Sequence, residues 1–179
     1  MHSGPEDVRF ENVRFDPDLT PFHELAKRMA AEFGYTAELS LDARLAELLR
    51  LRVAQLDPCP YCLVLHTRAA TRSGIPADVI AQLGGWRESS VFSPAEKAAL
   101  AYCEGLTRYD IAGFARLHDE LGAHFDELEI AEIAAVIINM NVWTRLKLAQ
   151  GAVATAHAGP TPIGADRMTE QLQITETEE

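Results

Sequence analysis

The sequence predicts an all-α fold, a single-domain bundle of about six to seven helices. Three observations carry this expectation. Helix starts are marked by a capping residue with proline or a returning carboxylate behind it, as in Thr20-Pro21 and Ser93-Pro94-Ala95-Glu96. Apolar positions recur near every 3.6 residues in Leu128, Ile130, Ile133, Val136 or Ile137, Met140 and Trp143 or Thr144. No stretch alternates convincingly between apolar and polar residues as a half-buried strand does, and hairpin signals such as Asn-Gly are scarce.

The elements follow in order. The first helix runs from Phe22 to Phe33, behind the Thr20-Pro21 start and before the Gly34 stop. The second spans Leu41 to Leu56 and ends at Asp57-Pro58. The third opens at about Pro60 and stops at Gly74. Pro76 opens a short fourth, halted by Gly84-Gly85. The capping box at Ser93 starts the fifth, Ala95 to Thr107, and Phe114 to Leu121 forms a short sixth before Gly122. A second box, Asp126-Glu127-Leu128-Glu129, launches the longest helix, about 127–150. Its stretch Ile130 to Val142 is apolar on more than one face, so it must be wrapped by other helices of this chain or of a neighbouring subunit.

Length and composition agree with one domain: 179 residues, 47% of them apolar. The net charge of −11 argues against nucleic-acid binding, which needs a basic face, and against attachment to an anionic membrane. Three cysteines are too few, and odd in number, for a secreted disulfide scaffold. Met1 to Asp7 is polar and acidic, unlike a signal peptide, and Ile130 to Val142 is too short and too polar to span a bilayer. The expected compartment is the cytoplasm. Residues 1–19 read as an N-terminal extension and 20–157 as the helical domain. Residues 158–179 read as a flexible acidic tail, or an arm laid on a partner subunit. The two ends carry seven of the eleven excess negative charges, with five acids against two bases in the head and five against one in the tail.

The segment Asp57-Pro58-Cys59-Pro60-Tyr61-Cys62-Leu63-Val64-Leu65-His66 concentrates the chemistry. Cys59, Cys62 and His66 stand three and four residues apart on one expected helix, so they share a face. Pro60 in the first turn puts Cys59 at or near the N-cap, where unpaired N–H groups and the positive end of the helix dipole favour a thiolate. His66, one turn beyond Cys62, can exchange a proton with it directly or through water. Alternatives stay open on residue type alone. Cys59, Cys62 and His66 are three good zinc ligands, with Glu47 conceivable as a fourth, in a non-redox protein. Glu47 itself reads most simply as a surface pair with Arg44 or Arg50. Cys103 reads as a packing residue, and His118 and His124 as surface residues.

Glu47-Leu48-Leu49-Arg50-Leu51-Arg52-Val53-Ala54-Gln55-Leu56, Cys59-Pro60-Tyr61-Cys62, His66 and Gly74 together resemble the core of the carboxymuconolactone decarboxylase-like superfamily. The match is to its alkyl hydroperoxidase D-type branch, and it extends over roughly residues 40–150 with Phe92 to Tyr102 and Ile138 to Arg145. The resemblance implies that Cys62 is the peroxidatic thiol and Cys59 the thiol that resolves it as a disulfide, with His66 and Glu47 as the proton relay. It implies a thiol-dependent peroxidase or disulfide oxidoreductase acting on small hydroperoxides. No bound cofactor is expected; an external dithiol, such as a lipoyl-bearing reductant protein, would reopen the disulfide. Trimers or hexamers packed through helices are implied as well. Tyr61 stands where the best-known member of the branch has a histidine. A lyase on the same scaffold, using Glu47 and His66 with the cysteines incidental, is the remaining alternative, although the decarboxylases proper lack the cysteine pair.

Overall fold

The start of a helix leaves its first N–H groups without partners, and the sequence supplies acceptors for them. In the computed structural model, which describes residues 8–155, Ser93 Oγ accepts from the Glu96 N–H at 3.2 Å. Glu96 Oε2 accepts in return from the Ser93 N–H at 2.8 Å. Asp126 and Glu129 form the same reciprocal pair at 2.9 and 3.0 Å. Replacing Ser93 by alanine is expected to cost about 1 kcal/mol, read as a lowered urea midpoint with an unchanged slope.

Among the described residues seven α-helices result: α1 (Phe22–Phe33), α2 (Ala43–Leu56), α3 (Pro60–Arg72), α4 (Ala77–Gln82), α5 (Pro94–Arg108), α6 (Phe114–Gly122) and α7 (Glu127–Gln150). Three expected starts are corrected, α5 beginning at Pro94 rather than Ala95. Pro21 is itself the N-cap of α1, with Thr20 Oγ1 accepting from the Phe22 N–H at 3.4 Å. Helix α2 begins at Ala43 rather than Leu41, because Asp42 caps it by accepting from the Leu45 N–H at 2.9 Å.

Helix α7 is the axis of the bundle. It packs against α1, α2 and α5, and touches α3 and α6, so the chain's own helices wrap its apolar faces. Ile133, Val136, Ile137 and Met140 are buried there among Leu48, Leu49, Leu51 and Val53 of α2 and Leu100 and Cys103 of α5. Ile138 and Leu148 remain exposed. Among the described residues no helix is long and apolar enough to cross a membrane.

A buried polar tie fixes α2 to α5. Glu104 accepts from Arg52 through Nε at 3.0 Å and Nη2 at 2.5 Å, and from Trp86 Nε1 at 2.8 Å, with Arg87 Nη2 2.7 Å away. Burial alone would raise the Glu104 carboxyl, but the bonds from Arg87, Trp86 and Arg52 outweigh it and hold the group down at about 2. A carboxylate lowered by folding adds stability above its ordinary value of 4.5 and loses it as pH falls toward 2, so acid unfolding is expected to draw on this tie. Cys103, next to it, is fully buried and burial pushes its thiol up to about 12, in keeping with a packing role.

Beside the helices of the expected all-α fold, the described residues include two short strands. Arg9–Asn12 (β1) pairs antiparallel with Ala152–Thr155 (β2), Arg9 opposite Thr155 and Asn12 opposite Ala152. Four residues each are too few to show alternation, and the partners lie at opposite ends of the chain. The pairing lays the head of the chain on the helical domain and buries Phe10.

Candidate active site

Local backbone geometry brings the thiol pair to a helix start. Pro58 cannot continue α2, and Asp57 ends it as C-cap, tied to α7 through Thr144 Oγ1 at 3.1 Å and Arg145 Nη1 at 2.8 Å. Cys59 is then the N-cap of α3 with Pro60 at its first position. The Cys59 sulfur accepts from the Cys62 N–H at 3.2 Å, so a helix-terminal N–H points at sulfur. The two residues are joined as a disulfide, their Cα atoms 5.3 Å apart. Both are buried, in a shell that includes Tyr61.

His66 lies one turn beyond Cys62 and is 4% exposed. Its Nδ1 is 3.2 Å from Glu47 Oε2. Glu47 comes from α2, twelve residues before Cys59, and is only 3% exposed. Its surface-pair reading is therefore corrected. Packing of α2 against α3 turns the carboxylate inward, where Oε1 accepts from Arg50 Nη1 at 2.5 Å. Arg50, also buried, donates through Nη2 to the Phe33 carbonyl at 2.9 Å, anchoring the end of α1.

This chain of contacts sets the charges. Burial raises the Glu47 carboxyl, but its bonds to His66 and Arg50 outweigh burial and bring it below the ordinary value. Burial lowers the Arg50 guanidinium, and the Glu47 charge opposes that. With Glu47 ionised, a neutral His66 carries its proton on Nδ1 and keeps a lone pair on Nε2, the nitrogen left to take a proton. Tyr35 stands edge-on to the His66 ring, centroids 6.1 Å apart.

Tyr61 is walled in. Phe10 of β1 packs edge-on to it at 5.2 Å between centroids, and Lys147 Nζ lies 4.4 Å from its ring centre. Burial, then the Tyr35 charge, pushes its hydroxyl up to about 12, so near neutral pH it remains protonated and cannot act as a base. Among the described residues no group of three or more His, Cys, Asp or Glu side chains is arranged to hold a metal ion, with Cys59 and Cys62 joined to each other.

Of the four expected residues, Cys59 is joined to Cys62 and His66 is held by Glu47, the second pair bridging α3 and α2. Arg50 was legible only as a helical neighbour three residues after Glu47; its burial was not. Tyr35 and Lys147 gave no sign, since neither stands in a motif. His118 and His124 are exposed and Cys103 is buried, as expected.

Residues 23–105 match the carboxymuconolactone decarboxylase family. A relative, the uncharacterized protein YdfG of Bacillus subtilis (strain 168), is 33% identical over 121 residues, covering 65% of this chain and 80% of that protein. The chain belongs to the carboxymuconolactone decarboxylase family. Another relative, the uncharacterized protein YnjA of Escherichia coli (strain K12), is 31% identical over 110 residues, which are 61% of this chain and 60% of YnjA. Among solved structures, ATU0492 of Agrobacterium tumefaciens, a candidate antioxidant defence protein AhpD, superposes with a TM-score of 0.70 at 23% identity, covering 82% of this chain and 99% of ATU0492. The debrominase Bmp8 superposes with a TM-score of 0.66 at 22% identity, over 75% of this chain and 73% of Bmp8. The helical scaffold of the carboxymuconolactone decarboxylase family thus carries the thiol pair described above.

Proposed function

We propose that this member of the carboxymuconolactone decarboxylase family is a thiol-dependent peroxidase of small hydroperoxides, cycling through a Cys59–Cys62 disulfide. The observation that carries the reading is the thiol pair at the start of α3, with His66 one turn on and its Nδ1 held by the ionised Glu47. The solved relative described as a peroxidase-related protein from Silicibacter sp. TM1040, with a TM-score of 0.66, supports the scaffold for such chemistry.

In the first step the Cys62 thiolate attacks the terminal oxygen of the hydroperoxide. An S–O bond forms and the O–O bond breaks, leaving a sulfenic acid and an alkoxide that takes a proton from the His66 side. The Cys59 thiol then displaces hydroxide from that sulfur, giving the disulfide and water. An external dithiol reduces the disulfide by exchange and is itself oxidised to a disulfide. The helix-terminal N–H groups and the His66–Glu47 pair favour the thiolate and move the proton. No resident cofactor is needed, and a lipoyl-type dithiol protein is the proposed donor.

The test is thiol titration with intact mass before and after one equivalent of an alkyl hydroperoxide. The expected result is loss of two thiols in the wild type. In Cys59→Ser, a sulfenic acid trapped on Cys62 is expected. Trapping on Cys59 in Cys62→Ser, after a single oxidation, with none on Cys62 in Cys59→Ser, would reverse the roles. A protein whose thiols survive excess hydroperoxide would sink the reading.

A further inference from the structure

Lys147 is a cation without an ion-pair partner among the described residues. It is 2% exposed and lies on α7, where a lysine in the last turn would ordinarily reach for solvent or for the final carbonyls. Among the described residues it makes no hydrogen bond or ion pair. Its contacts are two aromatic faces, Tyr61 at 4.4 Å and Trp143 at 5.5 Å from Nζ to ring centre.

Polar groups without partners lie on the same helix face and against Trp143. Trp143 and Gln150 stand four residues before and three after Lys147, on the same face of α7. Trp143 Nε1 and both side-chain polar atoms of Gln150 are buried and unpartnered, and Gln150 has no exposed surface. From α1, His23 packs edge-on to Trp143 at 6.0 Å between centroids. Its Nδ1 is held by Asp18 Oδ1 at 2.8 Å, while its Nε2 is buried without a partner. Buried polar atoms are rarely left unpaired, so several of them on the face of α7 that carries Lys147, and on His23 against it, call for a polar guest. The half-buried Trp143 forms its edge toward solvent.

The charges choose the guest. The groups facing Lys147 are Tyr61 of α3 and Lys27 of α1, whose ammonium is paired with Glu24 at 2.7 Å; His23 is paired with Asp18. No carboxylate of the described residues reaches Lys147. One positive charge on a 2% exposed side chain accommodates one negative charge; a dianion would leave an excess charge largely buried. The free donors, the ammonium, an indole N–H and an amide, suit an oxyanion.

We propose that Lys147, Trp143, Gln150 and His23 form a binding site for a small organic monoanion carrying a carboxylate or phenolate oxygen. The oxyanion pairs with the Lys147 ammonium and accepts from Trp143 Nε1 and the Gln150 amide. His23 Nε2 accepts from a protonated group of the guest or, when charged, donates to it. Because Tyr61 lies between Cys59 and Cys62 in the chain and under the Lys147 ammonium, the site adjoins the thiol pair. It does not depend on the thiols turning over.

Burial, with Lys27 adding to it, lowers the Lys147 ammonium to about 8. Binding is therefore expected to be full near neutral pH and to weaken as pH rises through that value.

The experiment titrates benzoate, 4-nitrophenolate and the uncharged benzamide into the full-length reduced protein, followed by calorimetry and thermal melting. The same titrations are run on Cys62→Ser, so that failure of the peroxidase reading leaves this test intact. One anion per chain is expected, raising the melting midpoint, with benzamide inert. The tighter of the two anions tells carboxylate from phenolate. Lys147→Met is expected to weaken binding about ten-fold or more, and Trp143→Phe, which keeps the ring and loses only the N–H, by a smaller factor. Lys147→Met should also melt no lower than the wild type without ligand, since it removes an unpaired buried charge. Three results would overturn the proposal. One is that neither anion binds. Another is that benzamide binds as well as benzoate or that Lys147→Met binds undiminished. The last is that Lys147→Met breaks an oligomer that binds neither anion, making a second copy of the chain the partner of the charge.

Discussion

Cys62→Ser is expected to lower hydroperoxide turnover by roughly a thousand-fold or more, with the fold intact. The serine hydroxyl fills nearly the volume of the thiol, so packing around the buried Cys62 changes little. What is lost is the nucleophile: an alcohol near neutral pH is not an alkoxide, and the helix start and His66 cannot make it one. Cys59→Ser should behave differently, allowing one oxidation and then stalling without its resolving partner. Steady-state assays with dihydrolipoamide as donor distinguish the two, because only Cys59→Ser shows a stoichiometric burst. Equal full activity in the wild type and Cys62→Ser would rule out thiol chemistry.

Glu47→Ala is expected to destabilise the protein by about 3–5 kcal/mol. The side chain sits between the Arg50 guanidinium and the His66 ring, and its removal strands a buried positive charge. Glu47→Gln keeps the volume and an acceptor and should cost less, yet it removes the anion that holds the His66 proton on Nδ1. The expected pattern is a stability loss ordered Ala over Gln, and a pH profile of turnover displaced in both. Sign and window follow from the carboxyl: its value falls on folding, so its stabilising share is complete above 4.5 and fades as pH drops below it. Urea unfolding of the reduced proteins measures the first effect. A loss under about 1 kcal/mol would place the contact with exposed ion pairs in worth.

How much could be read in advance depended on whether the cause was local. The two capping boxes and Cys59 at the start of α3 are short-range matters, decided by residues three apart, and they stand where expected. Glu47 differs. Its i, i+3 neighbour Arg50 was visible, but whether the pair faces water or the interior depends on how α2 lies on α3, a tertiary fact with no local mark. The strand pair escaped for a related reason: Arg9 and Thr155 sit at opposite ends of the described chain. Lys147 looked like an ordinary basic residue near a helix end, and only the rings of Tyr61 and Trp143 show otherwise.

The strand pair has a bearing on the order of assembly. Loop-closure entropy makes contacts between residues so far apart expensive until the segments between them are ordered. The helices, built from nearby residues, form without β1. Phe10 therefore reaches Tyr61 late in folding, and the strand that carries it is held at its edge by few bonds, among them Val13 N–H to the Gly151 carbonyl at 3.2 Å. Such a segment is the first to exchange its amide protons in native conditions, well before α2 or α7. Fraying of β1 then uncovers Tyr61, the residue between the two cysteines, while the bundle beneath stays closed.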